Sequence, residues 1–162
     1  MNLVALLLSL SFVFFVYFVV QSSLFRTEFE RAGMTESPLQ VTATPAAVEL
    51  IERLRTRHGP LLFHQSGGCC DGSSPMCYPQ DDFLVGDRDV KLGEIGGAPF
   101  YISPSQFEYW KHTQLIIDVV KGQGGMFSLE NGHGVRFLTR SRLFDDAEVG
   151  ALIAAGRFGE PA

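Results

Sequence analysis

All three cysteines of the chain lie between positions 69 and 77, directly behind Ser66, Gly67 and Gly68. The residues around them are rich in glycine, serine and proline, which neither a helix interior nor a regular strand accommodates well. The segment therefore predicts a loop that interrupts the regular structure of the domain. Cysteines scattered through a core are usually small packing residues, whereas cysteines gathered in such a loop indicate metal binding, redox chemistry or a tight turn.

The 162 residues leave room for one globular domain once the first 25, which carry no charged side chain, are set apart. The net charge of −5 therefore belongs to the remaining residues, and this acidic balance argues against a nucleic acid partner. Fourteen phenylalanines and seventeen glycines favour a sheet-rich fold with many tight turns.

Residues 3–20 are almost continuously apolar, and as a helix they would be about 27 Å long, close to the hydrocarbon thickness of a bilayer. We predict that residues 1–25 are a transmembrane segment, or an upstream extension if translation starts at Met34. A cleaved signal peptide is disfavoured, because the segment lacks a cationic start and a small-residue cleavage site.

The expected cellular location of the domain depends on whether translation starts at Met1 or at Met34. If Met1 is the start, Arg26 and Arg31 favour a single-pass membrane protein with a cytoplasmic C-terminal domain. If Met34 is the start, the protein is expected in the cytoplasm. Residues 26–40 are polar and predict a linker, residues 41–144 the cysteine-loop domain, and residues 145–162 a C-terminal tail.

Two helices of the domain have clear start signals. Thr44 followed by Pro45 predicts an N-cap and first turn, and Gly59 ends this first helix. Its apolar stripe is predicted to hold Val48, Ile51 and Leu54. Ser103 and Pro104 repeat the start signal for a second, short helix that reaches Trp110.

The remaining elements follow from apolar runs between glycines and prolines. The tail is predicted to be helical over residues 145–158, with Val149, Leu152 and Ile153 facing inward. We predict an α+β fold, a compact and mostly β domain with a mixed or antiparallel sheet and a flanking N-terminal helix, preceded by one hydrophobic segment. The predicted strands are residues 61–65, 83–85, 90–95, 99–102, 114–120, 126–129 and 135–138.

Clustered thiolates are typical ligands of zinc and other soft metal ions, but the spacing here does not match the C-x2-4-C pairs of structural zinc sites. Adjacent Cys69 and Cys70 tend to point apart, so a site within one chain also needs Cys77 and outside ligands, for which Asp71 and His64 are candidates. A site shared between the two copies of a homodimer is the alternative.

Two further interpretations of the loop stay open. A thiol-disulfide protein or redox sensor would pair Cys77 with Cys69 or Cys70, because a bond between the adjacent cysteines would be strained. Alternatively, the glycines form a structural turn and the cysteines are packing residues of a non-catalytic scaffold. No set of nucleophile, base and orienting residue is evident, so no catalytic residue is predicted and a non-enzymatic role is favoured.

Three stretches carry a family resemblance: HGPLLFHQSGGCCDGSSPMCYP at residues 58–79, GGAPFYISPSQFEYWKHTQLIIDVV at 96–120 and GGMFSLENGHGVRFLTRSRLF at 124–144. Over residues 41–144 the chain resembles the uncharacterised family called domain of unknown function 779. Members of that family often accompany aldehyde or alcohol dehydrogenases in bacterial genomes. The resemblance therefore implies an accessory role beside such a dehydrogenase.

The chain also resembles, more faintly, the A-type iron-sulfur carrier proteins. The stretch VTATPAAVELIERL matches the opening of their pattern, and Gly67-Gly68-Cys69 matches their glycine-cysteine turn. This resemblance implies a HesB-like fold with Cys69 in the position of the first cluster ligand, although the C-terminal C-x-C of the carriers is missing here. It adds an iron-sulfur cluster to zinc, copper and iron as candidate groups, bound in support of the dehydrogenase.

Overall fold

Two mixed β-sheets and three helices form the part of the chain that the computed structural model describes, which is residues 37–65, 67 and 74–157. The strands are β1 (Val41–Ala43), β2 (Leu61–Gln65), β3 (Pro75–Pro79), β4 (Val90–Ile95), β5 (Ala98–Ile102), β6 (Thr113–Lys121) and β7 (Val135–Leu143). The helices are α1 (Pro45–His58), α2 (Pro104–Trp110) and α3 (Asp146–Ala154).

The strands pair in the orders β1-β6-β7 and β3-β2-β5-β4. β1 runs parallel to β6 and β2 runs parallel to β5, while the other neighbours are antiparallel. A parallel neighbour cannot be reached through a hairpin, so the sheets are not simple antiparallel meanders. This mostly strand architecture, with α1 beside it, confirms the predicted α+β class.

Three phenylalanine rings connect the two sheets. Phe63 of β2 and Phe100 of β5 face each other in the parallel ladder, and their rings stack with centroids 6.0 Å apart. Phe137 of β7, in the other sheet, meets Phe63 edge to face at 5.0 Å. Because all three rings are buried and Phe63 has partners from both sheets, β2 is held firmly at the centre of the core.

Helix α1 begins and ends where the sequence predicts. The hydroxyl of Thr44 accepts a hydrogen bond from the backbone N–H of Ala47 at 3.3 Å, and Pro45 occupies the first turn. Gly59 ends the helix with φ of 80°, a conformation that glycine adopts without strain. The start of α2 at Ser103 and Pro104 is likewise confirmed.

The buried stripe of α1 overlaps only in part with the predicted one. Ile51 and Leu54 are buried as predicted, but Val48 is 40% exposed, so its assignment to the core is wrong. Ala47 and Leu50 complete the stripe instead. The apolar stripe of a helix is wide enough to include Val48 or Ala47, and only packing against the sheets decides which of the two is buried.

Two predicted strands are loops in the structure. Residues 83–85 form no ladder, and Phe83 instead packs its ring on Tyr78 at a centroid distance of 4.6 Å. Residues 126–129 also form no ladder, and Phe127 is 77% exposed. In both segments the apolar residues that indicated a strand make side-chain contacts or face solvent.

Strand β3 was not among the strands predicted from the sequence. Its bounds, Pro75 and Pro79, are residues that normally argue against a strand. However, β3 lies at the edge of its sheet and pairs only with β2, so a missing N–H on its free side costs no ladder hydrogen bond.

Helix α3 occupies part of the C-terminal tail. Asp145 and Glu148 form a reciprocal capping box that fixes its first residue. Leu152 is fully buried as predicted, whereas Ile153 is 57% exposed, so the prediction that it faces inward is wrong.

The localisation predicted from the sequence has to be corrected. Within residues 37–65, 67 and 74–157, no helix has the length and apolar character needed to cross a bilayer. The apolar segment at residues 3–20 lies outside the described residues. The single-pass assignment, with its cytoplasmic C-terminal domain, is therefore withdrawn.

Candidate functional site

The candidate site begins at His64, on the face of the four-stranded sheet that points away from the phenylalanine core. Side chains alternate along a strand, so the burial of Phe63 places His64 on the opposite face. Its ladder neighbours are Met76 on β3 and Tyr101 on β5. β2 ends one residue later, at Gln65, and the chain enters the cysteine segment there.

A carboxylate holds the His64 ring. Nε2 of His64 lies 3.2 Å from Oδ2 of Asp89, which also accepts a hydrogen bond from the N–H of Gly86 at 2.9 Å. An ionised carboxylate only accepts hydrogen bonds, so Nε2 is the donor, and in the neutral form of the ring Nδ1 carries the lone pair. The pair is largely shielded from water, with side chains 18% and 15% exposed.

Aromatic rings complete the surroundings of the imidazole. The ring of Phe83 lies 5.1 Å from that of His64 and stacks on Tyr78. These contacts and the bond to Asp89 limit rotation of the imidazole. An oriented imidazole with one free nitrogen is suited either to bind a metal ion or to accept a proton.

Cys77 is not part of this face. It pairs with Phe63 in the β2–β3 ladder, so its side chain points into the core, where it is fully buried. Burial, and then the negative charge of Glu130, raises the pKa of the Cys77 thiol well above its ordinary range. The structure thus does not bring Cys77 together with His64, and its surroundings favour the neutral thiol.

The other predicted ligands, Cys69, Cys70 and Asp71, lie outside the described residues, and their role stays a prediction. Within the described ranges, no three residues of the types His, Cys, Asp and Glu come together as a set able to hold a metal ion. His64 with Asp89 is therefore the part of the candidate site whose geometry is defined.

A second polar cluster lies along the free edge of β3. The hydroxyl of Ser128 accepts a hydrogen bond from the N–H of Cys77 at 2.8 Å and donates one to Glu130. The N–H of Leu129 bonds to the carbonyl of Cys77 at 3.0 Å. These bonds attach the loop between β6 and β7 to the edge strand β3.

Glu130 is a buried acid. Burial raises its pKa, while hydrogen bonds from Ser128 and from backbone N–H groups, together with His133, oppose that rise. The carboxyl therefore holds a proton more tightly in the folded chain than in the unfolded chain. Its ordinary pKa is 4.5.

We expect Glu130 to make the fold less stable as the pH rises. The folded protein binds more protons than the unfolded one between pH 4.5 and the raised pKa, so stability falls across that window and stays lowered above it. The loss is about 1.4 kcal/mol for each pKa unit of the rise. Urea unfolding of the wild type and Glu130→Gln over a pH series checks this, because glutamine does not titrate. A difference between the two proteins that stays constant with pH would contradict the prediction.

Asp89 and Glu130 were not among the site residues predicted from the sequence. Asp89 is 25 residues from His64, and the only local signal was its place beside Gly86 in a turn. Glu130 stands in a glycine-rich loop where an acidic residue normally faces solvent. Only the folded chain brings these carboxylates to their partners.

The comparison with known families decides the identity of the domain. The model of the family described as domain of unknown function (DUF779) matches residues 50–143, more than half of the chain. The chain belongs to the DUF779 family. The predicted resemblance is thereby confirmed, and the DUF779 match includes His64, Asp89, Glu130 and the whole cysteine segment.

Solved structures give a weaker likeness. An IscA crystal structure with a [2Fe-2S] cluster is 18% identical, covers 62% of this chain and 83% of that one, and has a TM-score of 0.39. Escherichia coli SufA, described as involved in biosynthesis of iron-sulfur clusters, is 14% identical, with coverages of 67% and 85% and a TM-score of 0.35. These are carriers of the kind that the fainter resemblance named. No curated protein matches this DUF779 chain.

Proposed function

We propose that this DUF779 protein binds a soft metal ion or an iron-sulfur cluster through a thiolate of Cys69 or Cys70, with His64 as a further ligand. It would act as an accessory to an aldehyde or alcohol dehydrogenase. The observation that carries the proposal is the hydrogen bond between His64 and Asp89 at the end of β2, five residues before Cys69 in the chain.

The His64–Asp89 pair has the arrangement expected of a metal ligand and its supporting residue. Metal-binding histidines commonly donate their second ring N–H to a carboxylate, which fixes the ring and makes the free nitrogen more basic. Thiolate and imidazole are the donors that zinc, copper and iron take in proteins. Cys69 follows His64 by five residues, a segment long enough to turn back and bring its thiolate to the imidazole.

Adjacent cysteines seldom bind one ion together, because their side chains point apart. Cys69 and Cys70 of one chain therefore leave room for ligands from elsewhere, such as Asp71 or a second copy of the chain in a homodimer. One chain alone would then leave part of the coordination sphere unfilled. Such a site suits the transfer of an ion or cluster to another protein.

The surroundings of Cys77 favour metal binding over the redox alternative. A disulfide protein would use Cys77 as the partner of Cys69 or Cys70, but its thiol is buried and its pKa is raised. Without Cys77, the disulfide would have to join the adjacent residues Cys69 and Cys70, and such a bond would be strained. Intact mass after mild peroxide separates the two functions, since the redox protein loses two hydrogens reversibly at Cys77.

Metal analysis of full-length protein purified without oxygen tests the proposal. We expect bound zinc, copper or iron, or uptake of one of them on reconstitution, and loss of binding in the Cys69→Ala/Cys70→Ala double variant. Asp89→Asn should weaken binding about 10-fold to 100-fold while leaving the ligands in place. Cys77→Ala is the matched control, and its metal content should equal that of the wild type.

Protein that stays metal-free after reconstitution would overturn the proposal, as would binding that depends on Cys77 alone. The dehydrogenase partnership has a separate test. Aldehyde dehydrogenase from the same genome, produced with the wild-type chain, should be more active than the same enzyme produced with the double cysteine variant. Equal activities would remove the partnership and leave the metal site unaffected.

A further inference from the structure

We propose that a groove between α1 and the start of β7 binds a small organic carboxylate. The groove has a volume of about 140 Å³, enough for a few non-hydrogen atoms, and it shares no residue with the His64–Asp89 pair. It is lined by Leu50, Arg53, Leu54, Arg57, His133 and Val135. This inference does not depend on the proposed metal site.

The rim of the groove is cationic. Arg53 and Arg57 are one helical turn apart on α1, so their guanidinium groups project from the same side, and His133 approaches from the β6–β7 loop. Both arginines are exposed, and neither forms an ion pair with any residue in the described ranges. Arg55, between them, pairs with Glu52 at 3.1 Å.

This cationic groove belongs to a chain whose overall charge is negative. The net charge is −5, and two unpaired arginines in one concave site concentrate positive potential there. The C-terminal end of a helix favours cations, which accounts for basic residues in the last turn of α1. That preference does not explain why the two arginines line a groove together with His133, which belongs to the β6–β7 loop.

The floor of the groove is apolar and selects the class of anion. Leu50, Leu54 and Val135 form it, and the two leucines belong to the core stripe of α1. A guanidinium group binds a carboxylate through two parallel hydrogen bonds, and an aliphatic body would cover the leucines and the valine. An inorganic anion has no apolar part that could contact these three side chains.

Titration of the full-length chain with butyrate, followed by calorimetry and by NMR shifts of His133 and Val135, tests this inference. We expect saturable binding with a Kd on the order of a millimolar. Acetate should bind about tenfold more weakly, because each methylene that contacts the floor contributes about threefold to fourfold. Butyramide, which has the same body without the charge, should not bind.

The variants place the binding in the groove. Arg53→Gln/Arg57→Gln should weaken butyrate binding at least about tenfold with an unchanged far-UV circular dichroism spectrum. Arg88→Gln, which removes an exposed arginine outside the groove, should change it less than about twofold. Equal binding of butyrate and butyramide, unchanged binding in the double variant, or tighter binding of inorganic phosphate than of butyrate would each overturn the proposal.

Discussion

Phe63→Ala is expected to lower the free energy of unfolding by about 3 to 5 kcal/mol, the range for removing a fully buried aromatic ring. The ring stacks on Phe100 in its own sheet and meets Phe137 of the other sheet, so the cavity would open between the sheets. Small domains are stable by about 5 to 15 kcal/mol, and the loss is a large part of that total. Urea unfolding followed by circular dichroism measures it.

A milder variant and a control make this prediction decisive. Phe63→Leu, which keeps much of the volume, should cost about 1 to 2 kcal/mol and remains measurable if the alanine variant does not fold. Phe127→Ala removes the same ring at a position that is 77% exposed, and it should change stability by less than about 0.5 kcal/mol. Similar losses for Phe63→Ala and Phe127→Ala would contradict the role given to Phe63.

This variant also connects the core to the candidate site. Phe63 and His64 are neighbours on β2, so loosening the strand would disturb the imidazole held by Asp89. We therefore expect metal affinity to fall in Phe63→Ala in proportion to local disorder of β2, and to remain near the wild-type value in Phe127→Ala.

Gly124→Ala is expected to destabilise the fold by about 1 to 3 kcal/mol through overpacking. A Cβ atom at this position would lie 2.6 Å from Oε1 of Glu130 and 2.9 Å from its Cδ, closer than such atoms approach. Glu130 cannot withdraw freely, because Ser128 and backbone N–H groups hold its carboxyl. Urea unfolding again provides the measurement.

Gly150→Ala supplies the matched control. Gly150 lies inside α3, and a Cβ atom there would have no neighbour within 4 Å. The substitution should stabilise the protein by about 0.5 to 1 kcal/mol, because alanine is the better helix former. The two glycine substitutions are thus expected to have opposite signs. If both stabilise the protein, the packing of Glu130 against Gly124 is not as the structure describes.

A coupled variant identifies the cause of the Gly124 effect. In Gly124→Ala/Glu130→Ala, the obstructing carboxyl is gone, and the combined loss should be smaller than the sum of the two single losses. Simple additivity would point to a backbone effect at Gly124 instead of a clash with Glu130.

The elements that were predicted correctly depend on residues close together in the chain. Thr44 with Pro45 and Ser103 with Pro104 fix helix starts through hydrogen bonds that span three residues. The run at residues 61–65 forms a strand because an apolar segment between breakers has to be buried. The strand predicted at 126–129 failed because Ser128 and Leu129 anchor that segment as a loop, through hydrogen bonds to Cys77, which is about 50 residues away in the chain.

The candidate site was only partly predictable for the same reason. His64 was expected to be a ligand, but the carboxylate that orients it is 25 residues away. Cys77 was grouped with the other cysteines by its nearness in sequence. The ladder of β2 and β3 instead turns it into the core, because alternate residues of a paired strand face opposite ways.

The sequence by itself determined the family, the helix starts and the apolar runs that become buried strands, because local hydrogen bonding and hydrophobic periodicity act over a few residues. Only the tertiary structure decided that His64 meets Asp89, that Cys77 lies in the hydrophobic core, and that Glu130 is buried. These outcomes depend on strand register and on packing between distant segments. No short stretch of sequence specifies such contacts, since they minimise the free energy of the whole domain.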